Sequence, residues 1–235
     1  MSGERFLGGR VIVRQSETGF RAGLDAVMLA AAVPAGDAAL ELGAGAGTAS
    51  LCLAARRGDM SITGLEIEPA LVALANANAV ANDMAGRVVF AIADIFDLPE
   101  AYRRQFNHVL SNPPFHDEDG QAAPDPARAR ALQDGGSLAA WLELGLKRTV
   151  SGGTFTTILR ADRLGEALAA LPGRGVTVFP LWPRAGVVAK RVIIQARQGS
   201  RTPLVMAAGL VLHQADGTYT PEADAVLRGG RGLEI

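Results

Sequence analysis

Ala38-Ala39-Leu40-Glu41-Leu42-Gly43-Ala44-Gly45-Ala46-Gly47 passes from an apolar run directly into three glycines at every second position. The first half reads as a short buried strand, and residues 48–57 have helical composition. Strand, glycine loop and helix in that order make a nucleotide-binding βα turn. Its glycines let the backbone approach a ligand, and the helix start presents free N–H groups. The chain carries 28 glycines, so the pattern acquires weight only from what lies downstream.

Nineteen residues past Gly47, the run 61–65 ends at Glu66. An acidic side chain at the end of a second strand can accept both hydroxyls of a ribose. A third run, 88–93, ends at Asp94-Ile95, where a carboxylate can accept from an amine while an apolar side chain covers a ring. Asp94 suits a turn or a helix N-cap equally well. The fourth run, 106–110, ends at Asn112-Pro113-Pro114-Phe115. Two prolines cannot continue a ladder and offer no N–H. The Asn112 side-chain oxygen, the carbonyls of Asn112 and Pro113 and the flat Phe115 ring then provide acceptors and a stacking surface. That set suits a planar group bearing an NH2, such as an adenine or cytosine amine or a carboxamide. Taken alone, Asn-Pro-Pro is most often a turn. Four strand ends in sequence make it part of a site.

That order of motifs resembles the class I S-adenosylmethionine-dependent methyltransferases, and among them the amino-methylating group with an NPP(Y/F) motif. The resemblance spans residues 20–195 and implies a Rossmann-like α/β fold: a mostly parallel seven-stranded sheet with helices on both faces. It implies that Glu41, Gly43, Ala44, Gly45 and Gly47 wrap the methionine and ribose of the cofactor. Glu66 with Ile67 would hold the ribose, and Asp94 with Ile95 the adenine. Asn112, Pro113, Pro114 and Phe115 would form the catalytic segment, with Asn112 also a cofactor contact. A nicotinamide dinucleotide prefers GxGxxG, whereas here the glycines are evenly spaced and position 48 is Thr. Two further segments, residues 19–30 beginning Gly-Phe-Arg-Ala-Gly-Leu-Asp-Ala and the late Ala189-Lys190-Arg191-Val192, look like those of bacterial tRNA(valine) adenine-N6 methyltransferases. That likeness implies tRNA as partner and places Arg21, Asp25, Lys190 and Arg191 at the substrate. Leu24 departs from the family's usual Thr.

A chain of 235 residues fits one domain: a lead (1–23), a core (24–197) and a C-terminal extension (198–235) with a β-like stretch and a helix from Pro221. A short hairpin is expected within residues 10–15, then a helix ending before Pro34. No apolar run reaches the ~18 residues of a membrane span, and no signal-type segment opens the chain. The single cysteine, Cys52, allows no intrachain disulfide and suggests a reducing cytoplasm. Three histidines without ligand spacing predict no metal. The net charge of −1 excludes a general RNA-coating role but not a local basic patch. Residues 116–136 read as a long polar loop, with Arg128 and Arg130 facing substrate. Oligomeric state is not legible. Two other readings stay open: methylation of a protein glutamine or an rRNA base amine, and a non-catalytic RNA-binding protein on the same fold.

Overall fold

The computed structural model describes residues 3–16, 21–114 and 137–235. The chain opens with a hairpin of β1 (Glu4–Phe6) and β2 (Val11–Val13). It begins earlier than expected because the turn falls on Gly8 and Gly9, whose φ of 68° and 94° suit a reversal. Helix α1 (Leu24–Ala32) stops at Val33, which Pro34 holds in an extended conformation. Then β3 (Ala38–Leu42), α2 (Thr48–Arg56), β4 (Ser61–Glu66), α3 (Pro69–Ala81), β5 (Val88–Ile92) and β6 (Phe106–Ser111) alternate. Pro69 sits in the first turn of α3, where its missing N–H costs nothing. Helix α4 (Leu138–Lys147) is capped by Ser137, whose side chain accepts from Ala140 N. There follow β7 (Thr149–Arg160), α5 (Leu164–Ala170), β8 (Val176–Trp182), β9 (Arg191–Arg197), β10 (Val205–Met206), β11 (Leu210–Val211) and α6 (Pro221–Leu227).

The main sheet runs β10-β8-β9-β7-β6-β3-β4-β5, with β11 also paired to β8. All its pairings are parallel except those that β9 makes with β7 and β8. Seven strands match the expected sheet. The two-residue β10 and β11 add to its edge and are too short to leave a periodic signal. Buried side chains from α1, α2, α3 and α6 pack on one face, and those of α4 and α5 on the other. A sheet covered on both faces explains the near-continuous apolar strands. The C-terminal extension is tied back: Leu233 N donates to Ala31 O at 2.8 Å, and Ala223, Val226 and Leu227 are buried.

Two asparagines within α3 and Asn82, which caps its C-terminus, fix an otherwise apolar helix. Asn76 exchanges both amide bonds with Phe90 of the edge strand β5. Asn82 does the same with Ile12, and Asn78 with Arg14, so the helix pairs with the hairpin lead as a strand would. Asn78 also donates to Ala46 O in the glycine loop, at 3.0 Å. No helix among the described residues is long and apolar enough to cross a membrane.

Candidate active site

Strand register brings the motifs to one edge. Leu42 is level with Leu65 on one side and Ser111 on the other, and Glu66 is level with Ile92. Residues 43–47, Glu66, Asp94 and Asn112 therefore leave the sheet together at its carboxyl edge, where open α/β sheets hold ligands.

Gly43, Gly45 and Gly47 have φ of 69°, 55° and 84°. A Cβ on Gly43 would lie 2.7 Å from Trp141 Cη2, and one on Gly47 2.5 Å from Phe90 Cζ. A Cβ on Gly45 would meet nothing within 4 Å, so this glycine faces open space. The loop is pinned by Ala44 N donating to Leu65 O at 2.9 Å and by Gly45 N donating to Glu66 Oε2 at 2.9 Å. The other Glu66 oxygen accepts from the N–H groups of Ile67 and Glu68. Glu66 thus holds both the loop and the turn after β4.

Glu41 lies beneath the loop rather than in the open cleft. It is 3 % exposed and accepts from Ser50 N and Ser50 Oγ in the first turn of α2. Burial pushes its pKa up to about 8; the Ser50 hydrogen bonds oppose this shift and nearby Glu66 adds to it. A cationic group in the cleft above would favour the carboxylate.

Asp94 is exposed and accepts from Phe96 N at 2.8 Å, forming a turn. Ile95 is 7 % exposed and packs in the same core cluster as Trp141. The Asp94 turn changes which side chains face out, and Ile67 (39 % exposed) and Phe96 (40 %) are the apolar groups left open after β4 and β5. Phe96 meets Trp141 edge to face at 6.0 Å.

Asn112 follows β6 directly. Its Oδ1 is buried without a hydrogen-bond partner among the described residues, as is Trp141 Nε1. An orphaned acceptor of this kind costs about 1–3 kcal/mol until something donates to it. Pro113 is buried and Pro114 half-buried. Phe115, Arg128 and Arg130 lie outside the described residues. The expected substrate residues Arg21, Asp25 and Arg191 are engaged within the protein: Arg21 pairs with Glu4, and Arg191 Nε donates to Asp25 at 2.9 Å. Lys190 is exposed. His108 is no base for this site, since its ring nitrogens meet Thr154 Oγ1 and Ala35 O, and burial lowers its pKa. Among the described residues no three His, Cys, Asp or Glu side chains gather as a metal site.

Sequence reasoning missed Trp141, Phe96 and Asn78. Only Asn78 left a signal, as one of the polar residues in the apolar run 70–81.

A strand order of this kind, with one antiparallel strand and a glycine loop after the central strand, defines a class I methyltransferase fold. The methyltransferase small domain family matches residues 21–142, and the chain belongs to it. It is 30% identical to a tRNA1(Val) (adenine(37)-N6)-methyltransferase of Yersinia enterocolitica, over 97% of this chain and 92% of that protein. The Yersinia pestis relative of the same name is 30% identical over 94% of this chain and 91% of its own length. Among solved structures, a protein of Agrobacterium tumefaciens described as a predicted O-methyltransferase superposes with a TM-score of 0.74 at 27% identity, covering 89% of this chain and 98% of its own. A precorrin-6y C5,15-methyltransferase from Geobacter metallireducens shares the fold, with a TM-score of 0.53 at 18% identity over 80% of this chain and 94% of its own.

The chain is accordingly a methyltransferase, and S-adenosylmethionine is its methyl donor. The residues present fit that group: Gly45 leaves open space beside the loop, Glu66 and Asp94 stand at successive strand ends, and Asn112 Oδ1 is buried without a partner among the described residues.

Proposed function

We propose that this enzyme methylates the N6 amine of an adenine in tRNA. The observation that carries the reading is the buried, unpartnered Oδ1 of Asn112 at the carboxyl end of β6. The names of the relatives support the substrate, and the match of more than nine-tenths of the chain to them supports carrying it over.

In this reading the cofactor, when bound, supplies an electrophilic methyl group and its own leaving group. Gly43, Ala44, Gly45 and Gly47 line its methionine and ribose end. Glu66 would hold the ribose hydroxyls, and Asp94 would accept from the adenine amine. Ile95, with the more exposed Ile67 and Phe96, would provide the apolar cover of that ring. The positive charge of the bound cofactor would favour the carboxylate form of Glu41, beneath the loop.

The target amine is a poor nucleophile because its lone pair is delocalised into the ring. Asn112 Oδ1 and the Pro113 carbonyl accept its two N–H bonds, favour a pyramidal nitrogen and turn its lone pair toward the methyl. As positive charge develops on nitrogen these acceptors interact more strongly, so they act on the transition state. The methylated nitrogen is acidic enough to lose its proton to water, and no strong base is required. A hydroxyl acceptor would need one, and Asn112 is not a base; this separates the reading from O-methylation. Phe115 is assigned the stacking face for an extruded base, and Arg128, Arg130 and Lys190 the flanking phosphates. Residues 1–235 act as one folding unit.

The test supplies isotopically methyl-labelled S-adenosylmethionine with separate pools of unmodified tRNA, rRNA and release factor, and locates the label by mass spectrometry. Label on N6-methyladenosine from tRNA is expected. Label on a glutamine, or on rRNA alone, would overturn the substrate while keeping the amine chemistry.

A further inference from the structure

The connection between β8 and β9, residues 183–190, leaves the sheet at the same carboxyl edge as Asn112, because β8 runs parallel to β6 and β7. Only β7 stands between β9 and β6, which places the base of the connection about 10 Å across the sheet from the Asn112 strand.

Its sequence is unusual for a solvated turn. Val187 is 41 % exposed and Val188 78 %, two adjacent β-branched apolar side chains in water. Arg184 and Lys190 flank them, both exposed, and the side chain of neither has an ion-pair or hydrogen-bond partner among the described residues. The next residue, Arg191, is by contrast held by Asp25. The connection is firmly supported. Val187 N donates to Arg184 O, Ala161 N to Lys190 O at 3.1 Å, and His213 N to Pro183 O at 3.1 Å. Gly186, with φ of 73°, makes the bend.

We infer that residues 183–190 dock the single-stranded RNA flanking the target base, with Val187 and Val188 against neighbouring bases and Arg184 and Lys190 on the phosphates. The inference rests on RNA being the substrate. Cations on both sides of an apolar tip complement a chain whose backbone is anionic and whose bases offer apolar faces. Apolar side chains wedged against bases are a recurrent means of holding nucleic acid in a distorted form, and a base turned into an enzyme site leaves its neighbours unstacked. A rigid support suits that role, since little ordering is needed on binding.

Steady-state methylation of unmodified tRNA by the full chain tests this, with cofactor affinity measured by calorimetry for every variant. The double variant R184A/K190A is expected to raise KM for tRNA about tenfold and to lower the slope of log kcat/KM against log salt by about 2. V187S/V188S is expected to raise KM about fivefold with the salt slope unchanged, since it removes base contact and no charge. Val80→Ser, at an exposed apolar position on α3, is the control. KM within about twofold of wild type in both double variants, or a parallel loss of cofactor affinity, would overturn the inference while leaving tRNA methylation standing. If the wild-type enzyme leaves tRNA unlabelled, the substrate reading itself has failed, and the inference with it.

Discussion

Asp25 Oδ2 accepts from Arg191 Nε at 2.9 Å, joining residues 166 positions apart. This one bond connects the two terminal segments that look like the tRNA(valine) methyltransferases. It turns α1 and the start of β9 into a single support at the rim of the site. Residues that resemblance assigns to substrate thus have a structural occupation of their own.

Replacing Asp25 by Asn removes the charge but keeps the shape. The pair is partly exposed, with side-chain exposures of 36% and 18%. A loss of about 1 kcal/mol is expected, lowering Tm by about 2–4 °C in a domain of this size. Differential scanning calorimetry measures it, and isothermal titration should show cofactor affinity unmoved.

Glu41 predicts a pH dependence. Its pKa in the folded protein is raised to about 8 from 4.5, chiefly by burial. Between those values the folded state keeps a proton that the unfolded state has lost. Its contribution is therefore fully present below about pH 4.5 and declines as pH rises toward about 8. Glu41→Gln, which keeps an acceptor for Ser50, should flatten this slope by an amount on the order of a few kcal/mol across the window. Thermal melts of both proteins at a series of pH values provide the comparison. Equal slopes would mean that Glu41 is ionised throughout.

The loop glycines should separate into two kinds. Gly43→Ala meets Trp141 Cη2 at 2.7 Å and must also hold a φ of 69°, at a cost of about 3 kcal/mol in stability. Gly45→Ala meets no neighbour and carries only the strain of its φ of 55°, about 1–2 kcal/mol. Its methyl group would instead occupy the space proposed for the cofactor. Chemical denaturation should rank Gly43→Ala as the less stable protein. Cofactor titration should show at least about a tenfold loss for Gly45→Ala.

The alternating α/β class and the four strand ends were legible because glycine spacing, terminal acids and paired prolines are local signals. What crosses the sheet was not. Glu66 reads as a ribose ligand, yet its bond to Gly45 spans 21 positions and depends on the register between β3 and β4. Phe96 left no signal of its own, although it stands exposed two residues past Asp94. The turn that Asp94 makes with Phe96 lies past the end of β5, so strand alternation no longer says which side chain faces out. Trp141 sits on a helix that meets Gly43 across nearly a hundred residues of chain, and nothing near residue 141 in the chain reports that contact. The short β10 and β11 have two residues each, fewer than any periodicity needs.

The account stands most directly on Asn112. Asn112→Ala should be compared with wild type by single-turnover methyl transfer to tRNA and by cofactor titration on the same preparations. Loss of an acceptor that acts on the transition state predicts a fall of about 10²–10³ in the transfer rate, with cofactor affinity changed by less than about threefold. A transfer rate near wild type, or a loss of cofactor affinity that matches the loss of rate, would contradict it.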